Sequence, residues 1–242
     1  MSSPAWLIKL NTEIVACERC PRLREHCAKV AREKRRAYRD QEYWGKPVPA
    51  FGDVDARVLI LGLAPGAHGS NRTGRPFTGD GSGYFMYPVL HETGFASQAE
   101  ATRRDDGMKL TGAWITSVGR CAPPANKPTP EELANCSSFL DRELAGLQQV
   151  RVVVVLGKIA FDGYLAHLRR RGFQFRKADY AFGHGVRHLM PDGRTVLCSY
   201  HPSMQNTNTG KLTKAMFAKV FREARRLAEK PTSTTETQRS RS

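Results

Sequence analysis

Six cysteines, at positions 17, 20, 27, 121, 136 and 198, are the first residues whose spacing points to chemistry. Cys17 and Cys20 form a Cys-x2-Cys pair, whose thiolates converge around a tight turn. Cys121 and Cys136 form a second pair with 14 residues between them. Four thiolates suit either a tetrahedral zinc or an iron–sulfur cluster, and spacing alone does not choose between them. Cys198 lies in an apolar run and reads as core, whereas Cys27 falls on a helix and is open to either fate. Two loops offer a different chemistry. The stretch Gly62–Gly83 carries seven glycines, which bring backbone close to a ligand and permit positive φ. Within it Phe77 can stack on a planar ring, and Asp80 stands among glycines before a helix start. Asp80 there is equally well a reacting carboxylate or a helix N-cap. The second loop, Tyr200-His201-Pro202-Ser203 through Gly210-Lys211-Leu212-Thr213, is polar and opens on a histidine. Neither loop is a nucleotide fingerprint. The first lacks G-x-G-x-x-G spacing, and the second has Gln205 and Leu212 where a Walker motif needs Gly and Ser/Thr.

These residues must be positioned by the elements around them. Val58–Leu61, Ala113–Val118, Val150–Leu156 and Thr195–Ser199 are short apolar runs that read as strands buried on both faces. Helical patterns precede and separate them, at 4–16, 22–38, 83–94, 130–147, 158–170 and 211–229, the fourth opened by Thr129 before Pro130. Strands alternating with helices argue for a parallel sheet covered on both faces, with ligands beyond the strands' carboxyl ends. Both chemical loops fall there. Phe173–Phe175 and Tyr180–His188 read as a hairpin excursion, with His184 at a turn.

The 242 residues carry 38 Lys and Arg against 23 Asp and Glu, a formal charge of +15. That field attracts polyanions, so nucleic acid is the first partner to test. Arg32, Lys34, Arg35, Arg36 and Arg39 concentrate it near one helix, where a solvated face is slightly preferred to a phosphate contact. The 40% hydrophobic content supports a sizeable core and excludes a wholly disordered chain. No run approaches the ~18 apolar residues of a membrane span. Ile14-Val15-Ala16-Cys17 imitates a lipoprotein cleavage box, but Lys9, Asn11, Thr12 and Glu13 interrupt the apolar segment that such a signal needs. The chain therefore reads as cytosolic. One domain is expected over residues 1–230, followed by a disordered tail at 231–242 that has no apolar anchor.

The two loops and four cysteines together resemble the prokaryotic family 5 uracil-DNA glycosylases, of the UdgB type. The resemblance runs from about Cys17 to the last helix. It implies a three-layer α/β/α sandwich around a four-stranded parallel sheet. It also implies a structural [4Fe-4S] cluster on Cys17, Cys20, Cys121 and Cys136, which takes iron–sulfur over zinc. The implied activity is a monofunctional base-excision glycosylase acting on DNA containing uracil or other deaminated bases. Asp80 would stabilise the sugar's oxocarbenium character and orient water, and His201 would stabilise the departing base. Gly62, Ala64, Pro65, Gly66, His68, Asn71 and Phe77 would form the base pocket, with Phe77 stacking on the flipped base. For His68 and Asn71, fixing the loop is the preferred role. Asn126 would supply a further base contact. Ser203, Met204, Gln205, Asn206, Thr209 and Lys211 would meet the DNA.

Two positions depart from the related family 4. Leu63 replaces an acidic residue, and Ser117 replaces a base-reading asparagine. Less polar discrimination implies a roomier pocket that also accepts hypoxanthine or xanthine. A monomer associated with the nucleoid is expected. One rival is a non-catalytic DNA-binding module with a structural metal centre, which gives no reason to set Asp80 against His201. Another is a lyase working through Lys158 or Lys211, the lysines nearest the strand ends.

Overall fold

The computed structural model describes residues 3–229, so the expected tail at 231–242 lies outside the described residues. Helices α1 (Ala5–Val15) and α2 (Pro21–Glu33) lead into strands β1 (Phe51–Gly52) and β2 (Val58–Gly62). There follow α3 (Ser70–Thr73), α4 (Gly81–Glu92), β3 (Ala113–Ser117), α5 (Pro130–Gly146), β4 (Val152–Leu156) and α6 (Lys158–Arg170). The chain closes with β5 (Arg187–Leu189), β6 (Thr195–Ser199), α7 (Met204–Asn208) and α8 (Lys214–Glu229).

All strands form one sheet, in the order β1-β3-β2-β4-β6-β5. The four expected strands make its parallel centre, with Val58 opposite both Ala113 and Val152, and Val152 opposite Thr195. Successive strand residues point to opposite faces. Val58, Ile60, Ile115, Val152 and Val154 pack under α4 and α8. Leu59, Leu61, Trp114, Val153 and Val155 pack under α1, α5 and α6. The result is the expected α/β/α sandwich. No helix among the described residues is long and apolar enough to cross a membrane.

Four expectations change. The sheet has six strands, because β1 and β5 add antiparallel edges. A two-residue strand and the exposed Arg187-His188-Leu189 carry no apolar run to betray them. Of the expected hairpin, only 187–189 is extended, and it pairs with β6 instead of with Phe173–Phe175. The helix expected over 22–38 ends at Glu33. Beyond it Lys34 takes φ +52, and a separate 3-10 turn spans Arg36–Tyr38. Past Val30 that stretch offers no apolar stripe to hold a helix against the core. The last helix starts at Lys214, three residues late, where the Thr213 hydroxyl accepts the Met216 N–H at 3.2 Å.

Candidate active site

Leu61 and Gly62 end β2, and the glycine-rich loop leaves from there over the carboxyl edge of the sheet. The loop is braced from within. Buried Arg75 pairs with Asp106 through contacts of 2.6 and 2.7 Å. Burial alone would raise Asp106, but Arg75 and the N–H groups of Met108, Thr102 and Arg103 hold it at about 2. Ser70 Oγ accepts the Phe77 N–H at 3.0 Å, and the Tyr87 hydroxyl donates to Pro76 O at 3.1 Å. These bonds hold Phe77 at φ +50, a left-handed backbone that costs a non-glycine residue about 1–2 kcal/mol. The strain places the Phe77 ring over Gly62, where a Cβ would meet ring atom Cζ at 3.1 Å.

Asp80 follows at the start of α4. Its Oδ1 accepts the Gly83 N–H at 3.0 Å, so the N-cap reading is correct as far as it goes. Its second oxygen is aimed elsewhere. A Cβ on Gly69 would stand 1.7 Å from Asp80 Oδ2, and one on Gly66 would stand 3.0 Å away. Two glycines thus make room for that oxygen. Burial pushes the Asp80 carboxyl above its ordinary value, against the N–H groups of Gly83 and Ser82 and the charge of Arg72.

His201 arrives from the end of β6. Its ring lies 5.8 Å from that of Phe77, inclined by 34°. Burial lowers it to about 4, so near neutral pH its imidazole is uncharged. Asn206 Nδ2 donates to His201 O at 2.9 Å and ties the loop across α7. The Tyr200 N–H donates to His184 Nδ1 at 3.3 Å, so His184, expected as a turn residue, also steadies the strand end.

Phe77 thus brings Gly62 of its own loop together with His201 of the other, while Asp80, on the same loop as Phe77, faces Gly66 and Gly69. Pro65 is buried, and Ala64 packs toward Gly119. Asn71 is fully buried and its amide donates to Cys27 O and Ala67 O at 3.4 Å, which is the loop-fixing role. His68 meets the Tyr43 hydroxyl at 3.1 Å through Nδ1. Asn126 is exposed on a 3-10 turn with φ +58, and among the described residues no hydrogen bond joins it to Asp80, Phe77 or His201. Ser203 caps α7 and Thr209 donates to Gln205 O at 2.7 Å, while Gln205 itself is exposed. Met204 is exposed and lies against Gly81, and the Lys211 ammonium stands 4.8 Å from the Tyr200 ring centre. Sequence reasoning missed Arg72, whose guanidinium donates to Gly79 O at 2.5 Å and His68 O at 2.8 Å. An arginine between the loop's glycines at 69 and 74 was its available signal.

Cys20 and Cys121 share one buried cluster, and Cys136 with Cys17 against it belongs to another, around α2, the loop after β3 and α5. Cys20 feels the charges of Cys17 and Cys121, and Cys136 those of Cys121 and Cys20. Burial raises the Cys20 thiol and takes that of Cys136 to about 11. Each sulfur has an N–H donor. Arg19 Nε approaches Cys17 at 3.3 Å and Asn135 Nδ2 approaches Cys20 at 3.7 Å. The Arg120 backbone serves Cys136, and the Arg24 side chain serves Cys121. Such donors and cations suit thiolate ligands, whose negative charge they offset. Cys27 is a fifth, fully buried thiol in contact with Cys121. Cys198 is buried in β6, as core. Among the described residues no group of three or more His, Cys, Asp or Glu side chains stands ready to hold a metal ion.

The chain is similar to known proteins over most of its length. A family model described as the uracil DNA glycosylase superfamily matches residues 49–225. A type-5 uracil-DNA glycosylase of Thermus thermophilus is 53% identical over 215 residues, covering 89% of this chain and 95% of the relative. One from Pyrobaculum aerophilum is 42% identical over 219 residues, covering 90% and 92%. A type-4 uracil-DNA glycosylase of Thermotoga maritima is 32% identical over 155 residues, covering 63% and 67%.

Proposed function

This chain belongs to the uracil-DNA glycosylase superfamily, and from that membership we propose that it hydrolyses the N-glycosidic bond of uracil in DNA, with Asp80 and His201 as its catalytic residues. The observation that carries the assignment is the meeting of a half-buried carboxylate, an uncharged imidazole and an aromatic ring at the carboxyl edge of the sheet. The target nucleotide must leave the stack, at a cost of a few kcal/mol, before its bond is reached. Phe77, preset over Gly62, gives the extruded base a ring to lie on. As the bond breaks, positive charge grows on the sugar and negative charge on the base. Asp80 Oδ2, unengaged by the helix cap, stabilises the first and orients water. Uncharged His201 donates a ring N–H to the oxygen of the leaving base. A histidine lowered to about 4 does this without surrendering its own proton.

The reading extends to other deaminated bases. Ser117 spends its hydroxyl proton on Gly119 O at 2.6 Å, and Leu63 packs into the core beneath α5 and α6. Neither is arranged to demand uracil's pattern of donors and acceptors, which supports acceptance of hypoxanthine and xanthine. The enzyme is monofunctional in this scheme. Lys158 is ion-paired with Asp162 at 2.7 Å and Lys211 sits against Tyr200, so neither is a desolvated amine suited to a Schiff base. We assign Cys17, Cys20, Cys121 and Cys136 as ligands of a [4Fe-4S] cluster, supported by the four N–H donors around them. These four residues would then tie α2, α5 and the loop after β3 into one unit.

Single-turnover base release from duplexes bearing one uracil or one hypoxanthine tests the proposal. Wild type should release both bases, and Asp80→Asn should slow release by about 10²–10⁴. Absence of release by cluster-loaded wild type would leave a DNA-binding module as the better reading. Borohydride trapping of a covalent adduct would replace the monofunctional scheme with a lyase.

A further inference from the structure

The exposed arginines of this protein fall into two groups. One group is neutralised, among it Arg142 by Glu13, Arg170 by Asp141, Arg176 by Asp179, Arg222 by Glu92 and Arg226 by Glu223. Arg35, Arg36 and Arg39 are exposed, and among the described residues none of them forms an ion pair. Their place in the fold is not the helical face expected from sequence. They sit beyond the end of α2, on the 3-10 turn Arg36–Tyr38 and its flanks.

That turn is laced to the loop carrying Asp80. The Tyr38 ring lies 4.0 Å from the guanidinium of Arg72, and Gln41 Oε1 accepts from the same group. Arg72 in turn holds Gly79 O, the carbonyl immediately before Asp80. The Trp44 N–H donates to Arg72 O at 2.8 Å, the Gly45 N–H to Asn71 O at 2.9 Å, and Tyr43 meets His68. Lys46 and Arg104 extend the positive surface on either side of Trp44, at 5.8 and 4.4 Å from its ring. The backbone that carries these unpaired cations is thus tied to the glycine-rich loop.

We propose that the turn Arg35–Arg39 is a second grip on DNA, taking backbone phosphates that flank the damaged nucleotide, separate from the contacts of the His201–Lys211 loop. A duplex presents one phosphate charge per about 1.7 Å of axis, so a surface adjoining the pocket loop meets several when the lesion is engaged. The grip carries no sequence information and acts on register and affinity. It rests on the DNA-glycosylase reading above.

The test measures binding of a lesion-free duplex by fluorescence anisotropy across a range of salt concentrations. Wild type is compared with Arg36→Gln/Arg39→Gln and with Arg169→Gln/Arg171→Gln, a charge-matched control at the far end of α6. Each phosphate contact contributes about 0.9 to the slope of log K against log salt. The turn variant should lose about 1–2 from that slope while the control keeps the wild-type value. Its single-turnover release of uracil at saturating protein should stay within about twofold of wild type, since neither arginine touches Arg72 or Asp80. Equal slopes for wild type and turn variant, or an equal loss in the control, would overturn the grip while leaving the glycosylase reading intact. A wild type whose binding ignores salt would remove the DNA reading itself.

Discussion

The two oxygens of Asp80 have different surroundings, and substitutions can separate its helix cap from its proposed chemistry. Oδ1 caps α4 and Oδ2 faces the space left by Gly66 and Gly69. Asparagine caps a helix as well as aspartate does, whereas alanine does not and costs about 1 kcal/mol. The raised carboxyl adds a second effect. A group whose folded pKa exceeds its unfolded one stabilises the fold in its protonated form, and that contribution is lost as pH rises through the folded value. Near neutral pH Asp80→Asn, which cannot ionise, should therefore melt no lower than wild type while nearly abolishing base release. Asp80→Ala should be inactive and also less stable, as thermal unfolding would show. The same two groups shape the pH–rate profile. Base release should rise with pH through a carboxyl value above the usual aspartate range. It should show no imidazole limb between pH 6 and 7, because burial holds His201 at about 4. A limb near 6.5 in wild type that vanishes in His201→Ala would contradict the uncharged donor.

The glycine-rich loop works as an element because its glycines yield space to particular atoms. A Cβ on Gly83 would stand 1.9 Å from Phe77 O, and a Cβ on Gly69 would collide with Asp80 Oδ2. Gly69→Ala should consequently mimic the loss of Asp80. Base release should fall by at least about 10², the scale of a lost acid–base group, with the overall fold retained by circular dichroism. Near-normal release would mean that Oδ2 is not the reacting oxygen. The companion element, α7 with its flanks, is fastened inward by the Ser203 cap and by Asn206 on His201 O. Met204 is left exposed at its start, against Gly81 of α4.

At the scale of the molecule, the proposed cluster would join two helices that the sheet does not hold directly to each other. Arg22 of α2 makes two contacts of 2.7 Å with Glu132 of α5, next to the Thr129 capping box, so the joint is prepared without any added group. Burial raises the free thiols of Cys20 and Cys136, and a bound cluster would convert that unfavourable pocket into folding energy. Cys17→Ala and Cys136→Ala should each lose iron and acid-labile sulfide on analysis and melt at lower temperature. Cys198→Ala, in the core of β6, should keep both. Zinc without sulfide in wild type would replace the cluster by a single ion.

Much of this was legible from residues alone. The four apolar runs specify the parallel sheet because strands buried on both faces need unbroken Val, Ile and Leu. Glycine-rich and His-containing loops after two such strands fall at the carboxyl edge by topology. The resemblance carried by those loops and the cysteines already named the family. What required the tertiary structure were relations without a local pattern. Edge strands β1 and β5 are too short or too exposed to carry periodicity. The end of α2 at Glu33 depends on the missing apolar face beyond it. Sequence left Asp80 undecided between cap and catalyst, because nothing local says where a second oxygen points. Only the approach of Gly66 and Gly69 from another part of the loop answers that. The unpaired state of Arg35, Arg36 and Arg39 was hidden for the same reason. A charge is free or neutralised according to neighbours distant in sequence, and only folding chooses those neighbours.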